Sequence, residues 1–146
     1  MNGARIERIL KNDPKSSQIF RGVFAIDQLP RKPHKPALLV CNTDPHDRPG
    51  QHWIVIYLRD DDYGEYFDSF GQPPPTIFNN YLNRNCKYWT FSDRQLQSVI
   101  SRFCGHYCIY YSLWRSRGMD INAVTTRFST DTAVNDYLVH DFVCHK

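Results

Sequence analysis

The stretch that most constrains this chain is Cys104-Gly105-His106-Tyr107-Cys108-Ile109-Tyr110-Tyr111-Ser112-Leu113-Trp114, with no proline or glycine between His106 and Arg117. It reads as a helix of about three turns beginning near Cys104, apolar almost all round. A helix with no polar face cannot lie on a surface, so the rest of the fold must be built around it. Its first residue is a thiol. Unpaired N–H groups and the positive dipole end of the first turn favour an anion there, which lowers the thiol pKa. Gly105 removes a side chain and lets another backbone approach closely beside that thiol. A cysteine nucleophile fits this setting if a base lies elsewhere in the chain, although a buried helical cysteine is more often plain packing. His106 cannot be the base, because two positions along a helix turns it about 200° away. Cys108, four positions on, shares the face of Cys104 and fills core.

The length of 146 residues fits one domain, spanning 1–146. Hydrophobic content of 41% and aromatic content of 14% exclude a disordered chain. A net charge of +3 is too small to imply nucleic-acid binding. Five cysteines at irregular spacing make no disulfide framework and favour a reducing, intracellular setting. The charged residues Arg5, Glu7, Arg8 and Lys11 leave no signal-peptide core, and no apolar run is long enough for a membrane span. No metal or other cofactor is expected.

Ala4–Lys11 reads as a short helix, with Ile6, Ile9 and Leu10 on one face, and Ala37–Asn42 as a short apolar strand. The segment 29–36 (LPRKPHKP) is an exposed connection. His52–Leu58 is apolar on both faces, as in a central strand, and Glu65–Phe70 is a second strand after the turn chemistry of 59–64. Thr76–Arg84 is a helix and Lys87–Phe91 a third strand. Two further helices span Ile121–Phe128 and Thr132–Cys144. The order predicts an α+β fold with a mixed, mainly antiparallel sheet packed on the Cys104 helix.

His52 opens one strand of the expected hairpin and Asp68 lies near the end of the other, within a few positions of opposite. A carboxylate there would orient the imidazole, whose other nitrogen could serve Cys104. Gln97, seven residues before the thiol, supplies an amide donor for an oxyanion hole, with the N–H of Cys104 as the second donor. Each residue alone is more often structural; together, each at an element terminus, they describe acyl-transfer chemistry.

The segments Gly50-Gln51-His52-Trp53, Phe67-Asp68-Ser69-Phe70-Gly71 and Gln97-x3-Ser101-x2-Cys104-Gly105 resemble the motifs of adenain-like cysteine proteases. These are the adenovirus protease and its relatives in Polinton/Maverick-type transposons and large DNA viruses. Gly22-Val23-Phe24-x2-Asp27-x-Leu29-Pro30 is similar to a segment of the transposon-borne members. The resemblance covers about residues 20–143. It implies a papain-like fold in circularly permuted order, as in SUMO-specific proteases, with His52 as base, Asp68 as orienter, Gln97 as oxyanion donor and Cys104 as nucleophile. It further implies an intracellular, monomeric endopeptidase that cuts precursor proteins after small residues, Gly above all. The adenovirus enzyme carries Glu where this chain has Asp68, and this chain is shorter, so activation by a peptide or DNA is an analogy only. Cys41, Cys86 and Cys144 have no assigned role. Two other readings compete: an isopeptidase acting on ubiquitin-like conjugates, and a non-catalytic binding domain, with a zinc module on Cys104, His106, Cys108 and Cys144 as its poorly spaced variant.

Overall fold

The computed structural model describes residues 1–47 and 52–146. The first two residues of the Gly50-Gln51-His52-Trp53 motif therefore lie outside the described residues. Five strands form one sheet in chain order: β1 (Phe20–Phe24), β2 (Ala37–Asn42), β3 (Trp53–Leu58), β4 (Tyr63–Phe67) and β5 (Tyr88–Phe91). The two central pairs, β2–β3 and β3–β4, are antiparallel; the two outer pairs, β1–β2 and β4–β5, are parallel. A parallel neighbour needs a crossover, and helix α2 (Thr76–Asn85) provides it between β4 and β5.

The strands are apolar on both faces because both faces are covered. Leu38, Val40, Val55 and Tyr57 point into one cluster with α1 (Gly3–Asn12), α3 (Cys104–Arg115), α4 (Ile121–Thr125) and α5 (Thr132–Cys144). The alternate residues Leu39, Cys41, Ile54 and Ile56 point into a second cluster with Phe78, Tyr81 and Leu82 of α2. Alternation along the strands thus serves two cores in place of one core and solvent. As expected, α3 is buried along nearly its whole length, with Tyr107 and Tyr111 fully enclosed. Each such side chain contributes about 1.5–3 kcal/mol through burial.

Several element ends differ from the sequence expectation. The hairpin turn is tighter: Arg59 N–H donates to Tyr63 O at 2.7 Å, and Asp62 takes a left-handed backbone with φ 66°. Strand β4 accordingly begins at Tyr63 and ends at Phe67, not at Phe70. It stops there because the Asp68 carboxylate accepts the Phe70 N–H at 2.8 Å, which closes a turn in place of the ladder. Helix α4 ends at Thr125, where Arg94 takes up the carbonyls of Thr125 and Phe128.

Glu65 pins α3 to the sheet. Its carboxylate accepts from Arg115 Nε at 2.9 Å, from the Tyr111 hydroxyl and from Ile121 N–H, while Arg115 lies over the Tyr57 ring. Both charges are buried. Glu65→Ala would strand a buried guanidinium, and we expect it to lower stability by about 3–5 kcal/mol. Equilibrium denaturation checks this, and a loss below about 1 kcal/mol would contradict it.

Candidate active site

The β3–β4 register pairs Val55 with Phe67. Continued past the ladder, it sets His52 opposite Phe70 with Asp68 on the diagonal. The side chains follow. The His52 ring stacks on Phe70 with centroids 4.7 Å apart, and its Nε2 meets Asp68 Oδ1 at 2.7 Å. Since Nε2 is held by the carboxylate, Nδ1 is the nitrogen left for the thiol. Gly71, which closes this turn, has φ 72°, and a Cβ there would lie 2.6 Å from the Arg94 backbone. Only glycine fits that approach.

Cys104 is the first residue of α3, as the sequence predicts. Its helix has no side-chain cap, so the first N–H groups are free to face an anion. Burial pushes the Cys104 thiol up, but the hydrogen bond and charge of His52, with the N–H groups of Trp53 and Gly105, outweigh it and hold the thiol below its ordinary value. Burial pulls His52 down, whereas its hydrogen bonds to Asp68 and Cys104 raise it to about 9. An imidazolium–thiolate pair is favoured between the lowered thiol value and the raised imidazole value. The signs for stability follow by linkage. The raised His52 contributes fully below its ordinary 6.5 and loses that contribution as pH rises through about 9. The lowered Cys104 contributes above its ordinary 9.0 and loses that contribution as pH falls through its lowered value.

Gln97 is buried beside them. His52, Phe70, Gln97, Ser101, Arg102 and Cys104 line one cleft of about 320 Å³, closed at its edge by Met1 and Trp53. The same two residues border an adjoining cavity of about 590 Å³ that reaches Val23, Phe24 and Asn42. All four residues singled out in the sequence are thus brought to one site. His106 is not among them: it packs on Phe103 and on His140, and burial with the nearby charges of His140, the amino terminus and Arg5 lowers it to about 4. Cys108 is core, and burial pushes its thiol up. Gly105 faces Met1 and Ile6 side chains, at 3.2 and 3.4 Å from a notional Cβ, and not the backbone neighbour expected. The residues of the zinc alternative do not converge. Among the described residues the one grouping able to hold a metal is Asp141, Cys144 and His145, at the exposed end of α5.

Sequence reasoning did not assign roles to Ser69, Phe70 or the Trp53 N–H. Phe70 and Ser69 sit inside the Asp-Ser-Phe-Gly motif, so a signal existed for them. A backbone N–H aimed at sulfur leaves no trace in residue identity.

No family sequence model and no curated protein matches the chain. Among solved structures, the ASFV pS273R protease superposes with a TM-score of 0.67 at 18% identity, over 93% of this chain and 64% of that one. ChlaDub1 from Chlamydia trachomatis superposes with a TM-score of 0.54 at 13% identity, over 74% of this chain and 58% of that one. The chain therefore spans less than two thirds of the length of either protein. A mixed sheet flanked by helices is the fold this chain shares with the ASFV protease and ChlaDub1.

Proposed function

We propose that the chain is a cysteine endopeptidase that cuts precursor proteins after small residues. The observation that carries this reading is the line Asp68–His52–Cys104, a carboxylate on one imidazole nitrogen and a helix-start thiol partnered to the ring. The shared fold supports it. In this reading the Cys104 thiolate adds to the scissile carbonyl carbon, and the electron pair of the C=O bond moves to oxygen. The Cys104 N–H and the Gln97 amide stabilise that oxyanion. His52, protonated, gives its proton to the departing amine as the C–N bond breaks, leaving a thioester. His52 then takes a proton from water as its oxygen adds to the thioester carbonyl; the C–S bond breaks, the carboxylic acid product leaves, and the Cys104 thiolate with protonated His52 is restored. Asp68 keeps the ring oriented and charged without itself gaining the proton.

Removing one oxyanion donor typically costs about 10²–10³-fold in turnover, and Gln97→Ala should lower kcat by that amount with KM little changed. A change confined to KM would contradict the role. A substrate with an extended backbone and small side chains next to the cut is supported by the modest volume of the cleft, about 320 Å³, lined by Trp53, Gln97, Ser101 and Arg102. The adenain-like resemblance implies the same preference. A peptide with a Gly-Gly or Gly-x-Gly site should be cleaved at least as well, in kcat/KM, as a folded ubiquitin or SUMO fusion. A fusion preferred by about 100-fold or more would overturn precursor processing in favour of deconjugation, since that gain requires a wide docking surface of about 800 Å².

A further inference from the structure

The Gln97 side chain is tied at both ends. Its Nε2 donates to the Ser101 carbonyl and to Ser101 Oγ, both at 3.0 Å, while its Oε1 accepts from the Ser69 hydroxyl at 2.6 Å. A carbonyl oxygen can only accept, so the Ser101 contact fixes which end of the amide is nitrogen. The oxygen end must then face Ser69, whose hydroxyl must donate. The two ends differ in surroundings. Ser101 lines the cleft with Cys104, whereas Ser69 is 1% exposed and lies behind it. The donor end of Gln97 is thereby held on the Ser101 side, the wall shared with Cys104, and the acceptor end on the Ser69 side.

Ser69 also fixes the backbone at this point. Its carbonyl accepts the N–H groups of both Leu96 and Gln97, at 2.9 and 3.0 Å. The Leu96 carbonyl in turn accepts from the Tyr107 hydroxyl of α3 and the Asn135 amide of α5. Asp68, the residue before Ser69, holds His52. One dipeptide therefore sets both the base and the oxyanion donor.

We propose that Ser69 is a positioning residue for Gln97: its hydroxyl fixes the acceptor end of the amide, which keeps Nε2 on the Ser101 wall of the cleft within reach of an oxyanion formed at Cys104, and it acts on turnover only through Gln97. This rests on the protease reading above. Without the hydroxyl, Oε1 loses its partner and the amide is held only at its Nε2 end, by Ser101, so its orientation is less fixed.

The test is a double-mutant cycle on Gly-Gly peptide cleavage, with Ser69→Ala, Gln97→Ala and the pair. Ser69→Ala should lower kcat about tenfold or more, a part of what loss of a whole oxyanion donor removes, at nearly constant KM. In the Gln97→Ala background the same change should have no further effect beyond about twofold. Alkylation of Cys104 at neutral pH should keep its wild-type rate in Ser69→Ala, because the Cys104–His52 pair is untouched; that readout also verifies folding. Ser69→Thr, which keeps the hydroxyl, should restore kcat. If Ser69→Ala does not fold, Ser69→Cys is close in volume with a weak donor and should show the same kcat loss. Multiplicative losses in the cycle, an unchanged kcat, or an alkylation rate that falls in parallel would overturn the assignment. The protease reading fails separately, when wild-type protein cleaves no peptide. In that event the Gln97 side-chain amide proton resonances of wild type and Ser69→Ala still decide the positioning claim. A shift and faster exchange in the variant support it, and coincident spectra refute it.

Discussion

A Cys104→Ala variant is expected to fold cooperatively and to cleave nothing measurable, a loss of at least about 10⁴-fold. The thiol lies at the mouth of α3 and not in its packed middle, so removing sulfur leaves the Tyr107 and Tyr111 packing and the Glu65 network in place. What disappears is the sulfur that, in the proposed reaction, forms the acyl bond. His52 and Gln97 would remain, and in such sites they retain binding and oxyanion stabilisation but have no nucleophile to act through. Cys108→Ala makes the contrast: it lies one turn further along, fully buried, and its replacement should lower stability without a comparable effect on kcat. Progress curves with a Gly-Gly peptide, read beside unfolding transitions, separate the two outcomes. Residual turnover within about tenfold of wild type in Cys104→Ala would remove the nucleophile assignment.

His52→Ala should lower kcat/KM on the order of 10⁴-fold, the upper range for one general acid–base group. The ring has two tasks here. In the proposed reaction it holds Cys104 ionised as imidazolium, and as acid it protonates the leaving amine. Raising pH can restore the first task by ionising the thiol directly. It cannot restore the second. Activity of His52→Ala should therefore rise only partly with pH and never reach the wild-type value. Asp68→Asn should have a smaller effect, since an amide can still accept from or donate to the ring, although it no longer supports the positive charge. A variant order in which Asp68→Asn is more damaging than His52→Ala would contradict these roles.

Much of this site is legible in residue order, for a physical reason. Cys104 opens α3 because the apolar run begins there, and His52 precedes β3 because the strand's uninterrupted hydrophobic pattern starts at Trp53. Such termini converge at one end of a sheet whose central strands are antiparallel, so Cys104, His52 and Asp68 can be brought together from sequence to within a few positions. The fold's second layer was less visible. Leu39, Ile54 and Ile56 announce that both sheet faces are covered, but not that α2 covers the second. The end of β4 was missed because it depends on a single side-chain choice: Asp68 bonds to Phe70 N–H and leaves the ladder. The Ser69–Gln97 hydrogen bond is not legible in the sequence because the partners are 28 positions apart, a separation that no local pattern encodes.

The central claim is that Cys104 is a thiolate held by His52. The most direct measurement is the pH dependence of alkylation by limiting iodoacetamide, with each modified cysteine located by mass spectrometry. In wild type, Cys104 should react ahead of the exposed Cys144 and the buried Cys41, Cys86 and Cys108 at neutral pH. Its rate should fall only as acid protonates the lowered thiol. Above about pH 9, where His52 gives up its proton, alkylation should persist while peptide cleavage declines, because the thiolate remains but the acid is lost. His52→Ala should shift the Cys104 alkylation curve toward higher pH. Labelling of Cys104 no faster than that of Cys144 at neutral pH, or a curve that His52→Ala leaves in place, would contradict the account.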